Sequence, residues 1–258
     1  MQLPPLPDVP HLLTAADVAH PKSAAPNKYA QKARKIPGHI RSVNARQFDT
    51  RYNKYLQHFL SNVIQHLSRE ESFMADTIKI LGIAGSLRKE SYNKMVLRAA
   101  QKLAPEGTEV EIFDIAGIPG FNQDEERNAP PRVSELKEKV RAADAILFVT
   151  PEYNYSVPGV LKNAIDWASR PYGDNAWMGK PVAIMGASIG MLGSGRAQYH
   201  LRQMFVFLNM YAVNQPEVMI ANATQKFDKD GNLTDEAAGK LITQLLANLR
   251  DWARKLKG

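Results

Sequence analysis

The chain has 258 residues, 44% of them hydrophobic, no cysteine and a formal net charge of +7. It is long enough to bury a core without staples. The missing cysteine excludes a disulfide scaffold, a thiolate nucleophile, cysteine-ligated zinc and an iron–sulfur cluster, and it fits a reducing, cytoplasmic setting. The charge is uneven: residues 1–74 hold ten Lys/Arg, five acids and five of the six histidines, a net +5 that leaves only +2 for the other 184 residues.

Two parts are expected, an extension over 1–74 and a compact domain over 75–258. Pro4, Pro5, Pro7, Pro10, Pro21, Pro26 and Pro37 punctuate residues 1–45; no apolar period persists there, and the stretch reads as disordered. Phe48, Tyr52, Tyr55, Phe59, Val63 and Leu67 then step by three or four. That spacing predicts an amphipathic helix over 46–70, docking on the domain or on another subunit. The acid-free basic run 18–48 also suits a targeting peptide, although the opening residues lack its apolar stretch. Translation from Met74 would begin directly at the domain.

From residue 77 strands and helices alternate. Strands are expected at 78–84, 109–113, 145–149, 181–185 and 218–220, and helices at 91–103, 132–142, 159–169 and 196–209. A last helix is expected from about Thr234, its N-cap, with Leu241, Leu245, Leu249, Trp252 and Leu256 facing inward. Ala145–Val149 is apolar throughout, as in a central parallel strand covered on both faces. The pattern is a doubly wound α/β domain with a five-stranded parallel sheet. Ligands of such sheets bind beyond the carboxyl ends of the strands, which directs attention to the loops after the first, third and fourth strands.

The first loop, Gly85 to Asn93, joins a strand to a helix start. Its Ser86, Ser91 and Asn93 offer donors and its Arg88 a charged fork, a composition suited to a phosphate. It lacks both the Gly-Lys-Ser/Thr of a P-loop and the Gly-x-Gly-x-x-Gly of a dinucleotide site. The second loop, Thr150 to Gly159, is stiffened by Pro151 and Pro158 and carries Tyr153 and Tyr155, flat surfaces beside exposed amides that suit a planar heteroaromatic ring. Glu152 has no carboxylate partner for acid–base work and reads as a backbone contributor. The third loop, Gly186 to Arg196, holds four glycines and permits close approach to a ligand.

These loops carry a resemblance. Gly85-Ser86-Leu87-Arg88-x-x-Ser91-x-Asn93, the block Pro151 to Trp167, and Ser188-x-Gly190-x-x-Gly193 ahead of Arg196-Ala197-Gln198 resemble the NADPH-dependent FMN reductase family, over about residues 77–257. The resemblance implies a flavodoxin-like fold and bound FMN. It implies that Ser86, Arg88, Ser91 and Asn93 hold the phosphate. Pro151, Glu152, Tyr153 and Asn154 would contact the isoalloxazine with Tyr155 close by, and Ser188 and Gly190 would flank its other edge. Arg170 would offer a cation to an anionic substrate or serve in an intersubunit or surface ion pair. The implied activity passes a hydride from NAD(P)H to FMN and two electrons onward to a quinone, free flavin or other small acceptor, in ping-pong order. No side chain is required as a catalytic acid. A homodimer or homotetramer is implied, with Tyr172, Trp177 and Met178 in the 171–179 loop as a candidate interface element. Neither a nucleic-acid partner nor a membrane span is expected. The alternative is a non-enzymatic FMN electron carrier of flavodoxin type, disfavoured by the Arg in the phosphate loop and the absence of a strongly acidic balance.

Other signals read as structural. Asp228-Lys229-Asp230-Gly231-Asn232 places its glycine fourth and Gly239 twelfth, unlike a calcium loop. The histidines lack metal-ligand spacing, so no metal site is expected. His200 stands alone on its predicted helix.

Overall fold

The computed structural model describes residues 77–257. The helix expected over 46–70, the disorder expected over 1–45 and the boundary at 74/75 lie outside the described residues. Strands β1 (Ile78–Ala84), β2 (Thr108–Phe113), β3 (Ala145–Val149) and β4 (Pro181–Ala187) alternate with helices α1 (Tyr92–Lys102), α2 (Pro131–Ala142), α3 (Gly159–Ala168) and α4 (Gly195–Leu208). Two short strands, β5 (Tyr211–Ala212) and β6 (Val218–Ile220), precede the closing helix α5 (Glu236–Lys257). The sheet runs β2-β1-β3-β4-β5 with every pairing parallel, and β6 also pairs with β4. The fifth position is thus shared: β5 pairs with Pro181 and Val182, and β6 with Met185 to Ala187. Tyr211–Ala212 is too short to show a period of two, which hid it in the sequence.

The central strands are apolar because both of their faces are covered; β3 and β4 are buried along their whole lengths. One face packs α1 and α5 through Ile80, Val96, Leu97, Leu245 and Leu249. The other packs α2, α3 and α4 through Ile83, Leu136, Leu161, Ile165 and Phe205. Gly82 lets α1 lie close on the sheet, since a Cβ there would stand 2.5 Å from Leu97 Cδ1.

Two expectations change. Helix α5 starts on Asp235, whose Oδ1 accepts from Ala238 N at 2.8 Å, and not on Thr234. Its inward stripe is Ala238, Ile242, Leu245, Leu246, Leu249 and Ala253, while Leu241 and Leu256 are exposed. Stepping by four from Leu241 drifts 40° per step; alternating threes and fours keeps to one face. Trp177, expected at an interface, is 0% exposed and lies against Phe148 with ring centroids 5.6 Å apart. Tyr172 and Met178 beside it are exposed. No described helix is long and apolar enough to cross a membrane.

Candidate functional site

The strand order β1-β3-β4 brings three loops to one end of the sheet. Ala84 pairs with Val149, and Val149 with Met185. The ladder continues one step further, with Gly85 N donating to Val149 O at 2.8 Å and Thr150 N to Met185 O at 3.0 Å. The loops therefore begin side by side, on a rigid edge.

In the first loop Ser86 is 1% exposed and its Oγ accepts from Arg88 N at 3.3 Å. That bond turns the chain so that the amides of Ser86, Leu87, Lys89 and Glu90 make no hydrogen bond among the described residues. Ser91 caps α1 by accepting from Asn93 N, and the first turn of α1 carries no acidic residue. Open amides, a helix N-terminus, a hydroxyl and the Arg88 guanidinium form a donor set that fits a phosphate. Arg88 also lies 5.7 Å from the Tyr92 ring centroid. Asn93 has a different employment. Its Nδ2 donates to Ala187 O and its Oδ1 accepts from Ala187 N, both at 2.9 Å. This pair of bonds ties α1 to the end of β4 and uses one of the two Nδ2 hydrogens.

The second loop closes in a two-residue turn. Tyr153 and Ser156 exchange backbone bonds of 3.0 Å in each direction, and Asn154 and Tyr155 between them have φ of 49° and 65°. Left-handed backbone suits asparagine and is unusual for tyrosine. The Tyr153 hydroxyl lies 3.4 Å from Ser86 Oγ, linking the first and second loops. Tyr155 is 69% exposed, with the Arg196 guanidinium 3.5 Å from its ring centroid. Glu152 reaches the start of α4: its Oε2 accepts from Arg196 N at 3.0 Å and Ala197 N at 3.4 Å, and its Oε1 pairs with the Arg196 side chain. Ser194, the residue at the usual capping position of α4, makes no side-chain cap bond. A carboxylate from another loop does that work. Glu152→Ala is expected to lower stability by about 2 kcal/mol, a lost cap plus a stranded, partly exposed arginine. Glu152→Gln, which keeps an acceptor for the amides, is expected to lose less than half of that; urea denaturation measures both.

In the third loop Ser188 is stitched to the end of β6, its N donating to Ile220 O and its O accepting from Ala223 N, both at 3.0 Å. Ser188 Oγ donates to Gly190 O at 3.2 Å. Ile189, Met191 and Leu192 are exposed. Gly186 has no room for a side chain, since a Cβ would come within 2.2 Å of Thr150 O.

Ser86, Arg88, Ser91, Asn93, Pro151 to Tyr155, Ser188 and Gly190 thus sit on three adjoining loops. Arg170 does not join them. It follows α3, whose ten residues span about 15 Å, and it lies 3.9 Å from the Tyr172 ring centroid at the opposite end of that helix. Sequence reasoning assigned no task to Arg196 or His200; their spacing of four on one helix was the signal available. His200 Nδ1 is 2.8 Å from Ser156 Oγ, so this histidine is not isolated.

Residues 78–225 match a family model described as NADPH-dependent FMN reductase. The chain is 54% identical over 186 residues to an NAD(P)H-dependent FMN reductase of Pseudomonas aeruginosa, covering 72% of this chain and 100% of the relative. It is 42% identical over 188 residues to a quinone reductase of Escherichia coli, covering 71% and 100%. Among solved structures, the flavoenzyme NAD(P)H:(acceptor) oxidoreductase FerB from Paracoccus denitrificans aligns with a TM-score of 0.64 and 38% identity, over 69% of this chain and 98% of that one.

Proposed function

Because the chain belongs to the NADPH-dependent FMN reductase family, we infer that it is an FMN-dependent NAD(P)H oxidoreductase serving a quinone, free flavin or other small acceptor. When bound, FMN supplies the hydride and electron-pair chemistry; the residues of this chain supply position, charge and shelter. The observation that carries the reading is the donor set of the first loop, buried Ser86 and open amides at a helix start whose first turn holds no acidic residue, standing directly beside a turn that presents two tyrosines. In this reading Ser86, Arg88 and the α1 N-terminus hold the phosphate, and Ser91 shapes that helix start. Asn93 serves by fixing the loop to β4. Pro151 to Tyr155 offer backbone groups to the isoalloxazine edge, and Ser188 and Gly190 line the opposite edge. The exposed Ile189, Met191 and Leu192 give a planar apolar acceptor a surface to approach.

Arg170 lies too far along α3 to meet an acceptor in its own subunit, so any such contact requires a second copy. A homodimer or homotetramer is part of the reading, supported by the exposed Val206 and Phe207 on α4 and by Tyr172 and Met178. The test is to purify the full chain with FMN and follow NAD(P)H oxidation with and without a quinone. Parallel double-reciprocal lines with varied quinone are expected; bound flavin without turnover would leave an electron carrier instead.

A further inference from the structure

Left-handed backbone at Tyr155 does not persist by itself; besides the Tyr153–Ser86 link, the contacts at both sides of the turn come from one helix. Arg196 and Ala197 receive Glu152 just before the turn, and the Arg196 guanidinium covers the Tyr155 ring. One helical turn later, on the same face of α4, His200 meets the residue that closes the turn. The backbone N and O of Ser156 are both engaged with Tyr153, which leaves its hydroxyl to His200 Nδ1 at 2.8 Å. Either tautomer supports this bond, the hydroxyl donating to an unprotonated Nδ1 or accepting from a protonated one. Helix α4 thus grips the turn on both sides, at residue 152 and at residue 156. Between these anchors the amides of Asn154 and Tyr155 make no hydrogen bond among the described residues and are left for a ligand.

We propose that His200 is a positioning residue: through the Ser156 hydroxyl it holds residues 153–155 in the conformation that receives the isoalloxazine. The proposal rests on the flavin reading above and adds a residue to it. Its physical content is preorganisation. A turn already fixed loses little freedom when the ring arrives, whereas a loosened turn must be ordered at the expense of affinity.

The test uses the full chain, first as apoprotein and then loaded. His200→Phe keeps a ring and deletes the bond, and Ser156→Ala deletes the same bond from the loop side by one oxygen atom. His200→Asn retains a polar atom near the Nδ1 position. In the apoprotein, amide hydrogen exchange at Tyr153 and Ser156 is expected to quicken in His200→Phe and Ser156→Ala, with α1 and the central strands unchanged. Each variant is expected to raise the Kd for FMN about five- to tenfold, the scale of one hydrogen bond, and to alter the fine structure of the bound flavin spectrum. The double variant should be no worse than either single one, and His200→Asn should recover most of the affinity. Unchanged exchange at the turn, additive effects in the double variant, or a wild-type Kd in Ser156→Ala would each overturn the proposal. Failure of the unaltered protein to bind FMN would instead overturn the flavin reading, while the exchange measurement on the apoprotein would still judge the His200 bond.

Discussion

Trp177→Ala is expected to remove about 3–5 kcal/mol of stability, the range for truncating a fully buried aromatic. Trp177 is wholly enclosed, its Nε1 donates to Ile165 O at 3.0 Å, and its ring abuts Phe148, which stacks in turn on Phe205 at 5.8 Å. Truncation would open a cavity beneath β3 and α3 and remove one of the two donors of the Ile165 carbonyl, which keeps the amide of Ser169. Tyr172→Ala, on an exposed side chain of the same loop, is expected to change stability by no more than about 0.5 kcal/mol. Guanidinium denaturation of both variants is the measurement. A Trp177→Ala loss below 1 kcal/mol would show that the loop does not close over the core in solution.

Arg88→Ala should raise the Kd for FMN by roughly tenfold to a hundredfold, the value of a charge-assisted hydrogen bond to a phosphate. Ser86→Ala should add a smaller loss, because its hydroxyl accepts the Arg88 amide that shapes the loop and, in the proposed site, meets the same anion. Riboflavin provides the control: it has the ring and no phosphate, so its affinity should barely respond to Arg88→Ala. The variant should also blunt the salt dependence of FMN binding, since one screened attraction is gone. An equal loss for riboflavin and FMN would remove Arg88 from the phosphate site.

The fold was legible because its information is local and repetitive. Ala145–Val149 is apolar at every position, as a strand covered on both faces must be, and the spacing of Leu161, Ala164, Ile165 and Ala168 marks the inner side of α3. The three ligand loops followed from strand alternation and the chemistry of strand ends. What escaped the sequence is information carried between distant residues. Glu152 read as a contributor of backbone groups; its carboxylate takes the amides of Arg196 and Ala197, 44 and 45 residues further on. Asn93 read as a ligand donor, and the sequence did not show that its side chain also bridges to a backbone 94 residues away. Trp177 looked like an interface residue because a loop rich in aromatics says nothing about which ring turns inward. His200 looked solitary because its partner lies on another element.

The Asn93 bridge carries a consequence for anyone rebuilding this site. The first loop and the tail of β4 are fastened by a two-pronged joint, so the first and third loops of the proposed site share one frame. A graft that imports the first loop without position 93, or that changes the end of β4 so that Ala187 moves, would leave the first loop at the wrong separation from the third. The transferable module is the joint together with both of the parts it fastens.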